Sequence, residues 1–214
     1  MGSAKRIILK SENKRFLNNL SIILASGSPR RKELLSEIIS EFEVFPSSAE
    51  EMKFHPDGPV ALISENAHIK AKDISRMYPQ ALVLGADTMV FLEQKPYGKP
   101  ESMLEAVQML KELSGTVHTV ATGVSLVLEA RGVDETFAVE TRVFFRQLDD
   151  QMIKEYFEHV DPMDKAGGYA IQTHPEMIID KWEGSLSNVI GLPLEKLDEK
   201  LITLSGLLSE DRKN

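Results

Sequence analysis

The chain has 214 residues, 42% of them hydrophobic and 27% charged, with 33 acidic against 25 basic residues and a formal net charge of −8. That length allows one domain with a sizeable core, and the absence of cysteine excludes disulfides and thiolate metal sites. No apolar run approaches the ~20 residues that span a bilayer, and the acidic balance argues against a general nucleic-acid binder, whose surface is basic.

Residues 1–19 are polar, carry five Lys or Arg and lack the apolar core of a signal peptide. They are expected as an extension, with one domain over 20–208, a polar tail over 209–214, and a cytoplasmic location. The apolar run Ser21–Ala25 reads as a buried strand, followed by a helix from Pro29 to about Ser40. Ser28 suits the N-cap and Pro29 the first helical position. Phe42–Phe45 reads as a short strand, and Pro59–Met77 as a helix with Ile63, Ala67 and Ile74 on one face. Ala81–Leu92 is an apolar run broken by Gly85-Ala86-Asp87-Thr88. Glu101–Leu113 reads as a helix whose apolar face is Leu104, Val107, Leu110 and Leu113.

The second half changes character. Val117–Leu128 and Thr136–Arg146 read as two long strands with a turn at Arg131-Gly132. Phe137, Val139, Thr141, Val143 and Phe145 share a face of the second strand. Asp149–His159 reads as a helix, Asp161–Pro175 as a loop rich in Gly and Pro, and Met177–Trp182 as a strand. Leu194, Leu197, Leu201 and Leu204 mark a C-terminal helix. Strands and helices flanking a long hairpin imply a mixed α/β sheet, with a cleft between two lobes as the natural ligand site.

Arg30, Arg31 and Lys32 fall in the first turn of a helix, beside the positive end of its dipole. An anion is the simplest compensation, because strand–turn–helix junctions bind phosphate. A guanidinium grips phosphate through two bonds at once; the alternative is a solvated pairing with Glu33 or Glu37. Ser26 lies at the strand end, able to face the anion. Glu50 and Glu51 offer oxygen ligands to a hard cation, or form a solvated acidic loop. Lys70 falls on the apolar face of its helix, where it snorkels or points into a cleft. Asp87, inside an apolar run, needs a metal, a lysine or several donors. Lys99 precedes Pro100, which forces it into an extended conformation that either aims its amine at a phosphate or leaves it a surface loop lysine. The loop Asp164–Gln172 brings a candidate Asp164–Lys165 ion pair, Tyr169 and the Gln172 amide. That amide matches the edge of uracil or thymine and, when flipped, cytosine. Cations and carboxylates together form the inventory of metal-assisted nucleotide phosphate chemistry.

These residues lie in a pattern that resembles the Maf family. The matching blocks are Leu24-Ala-Ser-Gly-Ser-Pro-Arg-Arg31 with Glu33-Leu-Leu35, Gly85-Ala-Asp-Thr88, Gly98-Lys-Pro100, and Leu113-Ser-Gly115 with His118 and Thr122-Gly-Val124. They continue through Pro162-Met-Asp-Lys-Ala-Gly167 and Gly191-Leu-Pro193. The resemblance runs from about Leu20 to Leu204. It implies a mixed α/β fold of the Maf and inosine triphosphate pyrophosphatase type, with an elongated sheet and a deep cleft, often dimeric. It implies a nucleoside triphosphate pyrophosphatase that needs Mg²⁺ or Mn²⁺ and releases the monophosphate and pyrophosphate, with no nucleic-acid polymer or membrane as partner. The implied catalytic residues are Glu51, Lys70, Asp87 and Lys99, with Glu51 and Asp87 holding the metal. Ser26, Arg30, Arg31, Thr88 and Gln172 bind the substrate. Gly168-Tyr-Ala-Ile-Gln172, with Arg31 and Thr88, is similar to the branch acting on dTTP and UTP. The departures are Ala170 for glycine, Thr173 for the glycine that usually follows the glutamine, and Ile69 beside Lys70. Two other expectations stay open: a pyrophosphatase for modified purine triphosphates such as 7-methyl-GTP, and a nucleotide-binding regulator of septum formation.

Overall fold

The computed structural model describes residues 20–210, whose strands form one seven-stranded sheet in the order β2–β1–β3–β5–β6–β7, with β4 also paired to β3. The strands are β1 Ile22–Leu24, β2 Glu43–Val44, β3 Leu82–Leu92, β4 Lys95–Tyr97, β5 Val117–Leu128, β6 Val133–Phe145 and β7 Ile179–Glu183. The helices are α1 Pro29–Ser36, α2 Pro59–Met77, α3 Met103–Leu113, α4 Asp150–His159, α5 Pro175–Ile178, α6 Leu186–Ile190 and α7 Leu194–Glu210. β1 runs parallel to β2 and β3 through the crossovers of α1 and α2, and every other pairing is antiparallel. The expected mixed sheet is therefore present.

Alternation along β3 and β5 assigns the two faces. Leu82, Leu84 and Ala86 of β3 join Val124, Leu126 and Leu128 of β5 in a core closed by α1 and α7. Further along the same face, Val90 and Val120 belong to a second core with α3, α4 and Tyr169. The opposite face carries Val83 and Val127, packed against Ala71 and Ile74 of α2. Two glycines bring α2 down onto that face. A Cβ at Gly85 would lie 2.2 Å from the Ala67 carbonyl oxygen, and one at Gly123 would lie 2.6 Å from the Ile63 carbonyl oxygen.

Several local expectations change. Gly85–Thr88 does not break its segment, because β5 pairs with β3 from Val83 to Phe91 without interruption. The glycine there serves helix approach rather than a turn. α1 stops at Ser36, and the Glu37 N–H turns back to the carbonyls of Leu34 and Leu35. α3 buries Ala106, Met109, Leu110 and Leu113, while Leu104 is 80% exposed. The buried stripe thus keeps helical spacing but lies on a neighbouring face. The hairpin turn at Arg131-Gly132 is present as a 3-10 turn closed by Gly132 at φ +63°. Met177 and Ile178 belong to the short helix α5, which Pro175 opens, and the strand begins at Ile179. Residues 1–19 and the end of the polar tail lie outside the described residues.

His118 is 1% exposed and sits edge-on to Phe145 and Tyr169, with Nε2 2.7 Å from the Tyr169 hydroxyl. Burial pushes its pKa down from 6.5 to about 3.

Gly85→Ala is expected to lower stability by about 3 kcal/mol or more, since overpacking here meets helix backbone and not a flexible side chain. Gly206→Ala, on the open surface of α7, is expected to be neutral or to gain up to ~1 kcal/mol from helix propensity. Urea melts of the two variants check this. The His118 pKa is depressed on folding, so its contribution to stability is complete above pH 6.5 and is lost as pH falls from 6.5 toward 3. Wild type is expected to lose up to ~1.4 kcal/mol per pH unit more than His118→Gln across that window. Paired melts at pH 7.5 and 4.5 measure the difference.

Candidate active site

The cleft begins as a gap in strand pairing. β5 covers one edge of β3, but the other edge is paired by β1 only at Leu82–Leu84 and by β4 only at Val90–Leu92. Between them Gly85–Met89 has no strand beside it, and a cavity of about 870 Å³ opens there. Ser26, Arg30, Arg31, Glu51, Lys70, Asp87, Thr88, Lys99 and Gln172 all line it. Glu50 does not: it is exposed and outside the lining, so of the adjacent pair only Glu51 turns inward.

Asp87 and Thr88 are neighbours on a strand and so project to opposite faces. Asp87 faces α2. Its Oδ1 accepts from Lys70 Nζ at 2.8 Å, and the same Nζ lies 3.0 Å from Glu51 Oε1. The Lys70 and Asp87 side chains are only 12% and 14% exposed. Lys70 therefore points into the cleft and does not snorkel out. Two carboxylates from distant segments converge on one ammonium. Asn66, one helical turn before Lys70, donates to Asp87 Oδ2 at 3.4 Å and binds the Met52 backbone beside Glu51.

Thr88 faces the other way, into a polar layer that divides the two cores. Arg31 donates from Nε to the Gly191 carbonyl at 3.0 Å, from Nη1 to Ser26 Oγ at 3.0 Å, and from Nη2 to Thr88 Oγ1 at 2.9 Å. Thr122 donates to the Asn188 carbonyl at 3.0 Å, so the Thr88 proton serves the 3.0 Å contact with Thr122 in preference to the Gly191 carbonyl at 3.4 Å. The chain of donation therefore runs Arg31, Thr88, Thr122, Asn188. Burial pulls the Arg31 pKa below its ordinary value; Asp87 and Glu51 oppose that shift, and Arg30 adds to it. Arg31 keeps N–H groups on Nη1 and Nη2 beyond those the clasp uses.

Arg30 pairs with neither Glu33 nor Glu37. It donates from Nη1 to Asp164 Oδ2 at 2.8 Å and from Nη2 to the Asp164 carbonyl at 3.3 Å. Asp164 also pairs with Lys165, as the sequence suggested. Burial would raise the Asp164 pKa, yet bonds from Lys165 and Arg30 hold it down at about 2. The segment that follows turns through Gly167 and Gly168 at φ +71° and +73°, a region open to glycine at little cost. Gly167 N–H donates to the Gly98 carbonyl at 3.0 Å, which ties this loop to the residue before Lys99. The Tyr156 hydroxyl donates to the Ala170 carbonyl and accepts its N–H, at 3.1 and 3.0 Å. Gln172 follows, exposed on the cleft wall. Sequence reasoning missed Asn66, Tyr156 and the partner of Arg30. The spacing of Asn66 four residues before Lys70 was a usable signal; the contacts of Tyr156 and Arg30 join segments that the sequence does not connect.

Glu51 and Asp87 suit a divalent cation in one respect: both carboxylates already meet one positive charge. No group of three or more His, Asp or Glu stands ready to hold a metal among the described residues. Such a pair matches Mg²⁺, which is commonly bound by one or two carboxylates with substrate phosphates and water completing its shell.

The family model described as Maf-like protein matches residues 21–204. A dTTP/UTP pyrophosphatase of Akkermansia muciniphila is 47% identical over 173 residues, which cover 81% of this chain and 90% of that protein. One from Syntrophus aciditrophicus is 41% identical over 186 residues, covering 87% and 91%. Among solved structures, the Ham1 protein of Staphylococcus aureus aligns with TM-score 0.42 and 14% identity over 58% of this chain and 71% of its own. The last likeness is too slight to bear on the site. With the family match spanning every strand of the sheet, and with relatives matched almost end to end, the chain belongs to the Maf family.

Proposed function

We propose that this chain is a nucleoside triphosphate pyrophosphatase that hydrolyses dTTP and UTP to the monophosphate and pyrophosphate. The observation that carries the reading is the meeting of Glu51, Asp87 and Lys70 in a cleft whose opposite wall presents Arg30 and Arg31. The relatives, both dTTP/UTP pyrophosphatases, supply the substrate class. They favour pyrimidine over 7-methyl-GTP, and the full set of charged groups favours turnover over a purely regulatory role.

In this reading Glu51 and Asp87 would hold Mg²⁺ or Mn²⁺. When bound, the metal supplies charge neutralisation on the triphosphate, a role hard cations fill with oxygen ligands. Arg30, Lys70 and Lys99 neutralise charge that builds on the phosphate oxygens and the departing pyrophosphate. The backbone amides at the start of α1 add their dipoles. Asp87 orients a water against the α-phosphorus and takes its proton. The new bond joins water oxygen to the α-phosphorus, the bond to the α–β bridging oxygen breaks, and that oxygen leaves with pyrophosphate. Phosphate entry exchanges the Arg30–Asp164 contact for an Arg30–phosphate contact. Arg31, Thr88 and Gln172 select the base. Arg31 and Thr88 are rigid because the polar layer holds them, whereas the Gln172 amide reads the pyrimidine edge from the loop that Tyr156 pins. Ala170 lies within that loop and Thr173 directly after Gln172, so both border the base pocket of this reading. The reading also takes residues 20–208 as one domain and the enzyme as a cytoplasmic homodimer, where nucleoside triphosphates are available. No helix among the described residues is long and apolar enough to cross a membrane.

Asp87→Asn and Glu51→Gln are each expected to lower dTTP turnover by at least ~10²-fold, the scale of a lost acid–base or metal-holding group. Chromatography of wild-type products should show monophosphate without diphosphate. Near-wild-type turnover in both variants, or diphosphate as product, would refute the assignment. Gln172→Ala is expected to raise KM for dTTP and UTP about 10-fold, the scale of one or two lost hydrogen bonds, and to change kcat less. Steady-state kinetics on dTTP, UTP, CTP and 7-methyl-GTP measure it.

A further inference from the structure

Lys70 and Asn66 stand one turn apart on α2 and share the face turned toward Asp87. Asn66 is 2% exposed. Its Oδ1 accepts the Met52 N–H at 2.8 Å, and its Nδ2 donates to the Met52 carbonyl at 3.1 Å. The same Nδ2 lies 3.4 Å from Asp87 Oδ2. One side-chain amide thus pairs with both backbone groups of the residue after Glu51, as a neighbouring strand would, and touches the second carboxylate as well. The segment needs such a partner, because no helix or strand forms between Val44 and Pro59. Glu51 itself is 52% exposed, and its contact with Lys70 would not hold the backbone by itself. Asn66 does so from a buried position on a helix whose height over the sheet is fixed by Gly85 and Gly123.

We propose that Asn66 is a positioning residue: it locks the loop that carries Glu51 opposite Asp87 and so sets the affinity of the carboxylate pair for a divalent cation. This rests on the reading of Glu51 and Asp87 as cation ligands given above. The amide acts through geometry. It brings no charge, and it restricts the Glu51 backbone so that little order remains to be imposed when the cation arrives. Removal of a group that orients a metal-binding carboxylate commonly weakens metal binding ~10- to 100-fold.

The test uses the full chain with Mn²⁺ as probe, nucleotide-free for the binding measurement. Asn66→Leu keeps the branched shape, with somewhat larger volume, and removes the hydrogen bonds, whereas Asn66→Ala removes both shape and hydrogen bonds. Mn²⁺ binding is followed by electron paramagnetic resonance, and dTTP hydrolysis is followed as a function of free Mn²⁺. The expected result is a rise of ~10-fold or more in the Mn²⁺ half-saturation for both variants, with activity lost at low Mn²⁺ recovered at high Mn²⁺. A folded Asn66→Leu with wild-type half-saturation overturns the proposal. Glu51→Gln separates this failure from a failure of the underlying reading: wild-type Mn²⁺ affinity in Glu51→Gln means that the carboxylate pair is not the cation site. Should both Asn66 variants fail to fold, amide exchange on wild type decides. The Met52 amide is expected to be protected, and exchange at the rate of an open loop overturns the proposal.

Discussion

One ammonium group lies between two carboxylates, and the rest of the site is arranged around it. Lys70 contacts Asp87 from the sheet and Glu51 from a loop, at 2.8 and 3.0 Å. Stability gives little reason for such a cluster at the base of a cleft, because desolvation of buried charges offsets much of their attraction. The arrangement makes sense as a preorganised electrostatic site. It depends on where α2 lies, and α2 lies close to the sheet because two strand positions carry glycine. A Cβ at Gly85 or Gly123 would run into helix backbone. A methyl group there would lift the helix and carry Lys70 and Asn66 away from Asp87.

The second constraint is the edge of β3. Because β1 leaves it after Leu84 and β4 joins it only at Val90, the middle of a core strand is open on one side. Alternation then splits two adjacent residues between two tasks. Asp87 meets the cationic helix, and Thr88 meets the arginine clasp. The polar layer that includes Thr88 also marks the boundary between the two apolar cores on that face, which is where a cleft between lobes forms. Hydrogen bonds run through that layer from Arg31 by way of Thr88 and Thr122 to the Asn188 backbone carbonyl, so Arg31 presents a fixed geometry to whatever enters. The loop from Asp164 to Gln172 closes the remaining side. Its left-handed glycines and the Tyr156 clamp give a flexible composition a defined path.

Much of this was legible in the chain. The strand periods of Val117–Leu128, the helix over Pro59–Met77 and the placement of Lys70 on its inner face follow from hydrophobic spacing. The idea of cations gathered in one cleft follows instead from the acidic net charge and from the basic residues at the positive end of a helix. The resemblance to the Maf family marked nine site residues, seven of them inside its motif blocks, Glu51 by its offset from Arg31 and Lys70 by its place on the helix, and the structure brings all nine to one cavity. Less was legible where spacing fits more than one answer. Leu104 shares a helical stripe with Leu110, yet the stripe that packs runs through Ala106 and Met109, because the sheet beneath chooses the face. Gly85 looked like a strand breaker, since sequence alone does not show that a helix backbone passes over it.

The sequence by itself determined which groups are available: the basic start of α1, the inner-face lysine, the lone acid within an apolar strand, and the glutamine after a glycine-rich turn. These are local properties, set by periodicity, capping and side-chain chemistry. Tertiary structure alone decided the partners. Arg30 turns to Asp164 and not to Glu33, Glu51 rather than Glu50 enters the cleft, and Asn66 fastens Met52. Each of these contacts joins separate elements or loops, 14 residues apart for Asn66 and Met52 and 134 for Arg30 and Asp164, and their geometry is fixed by strand order and by the height of one helix above the sheet, quantities that no local pattern encodes.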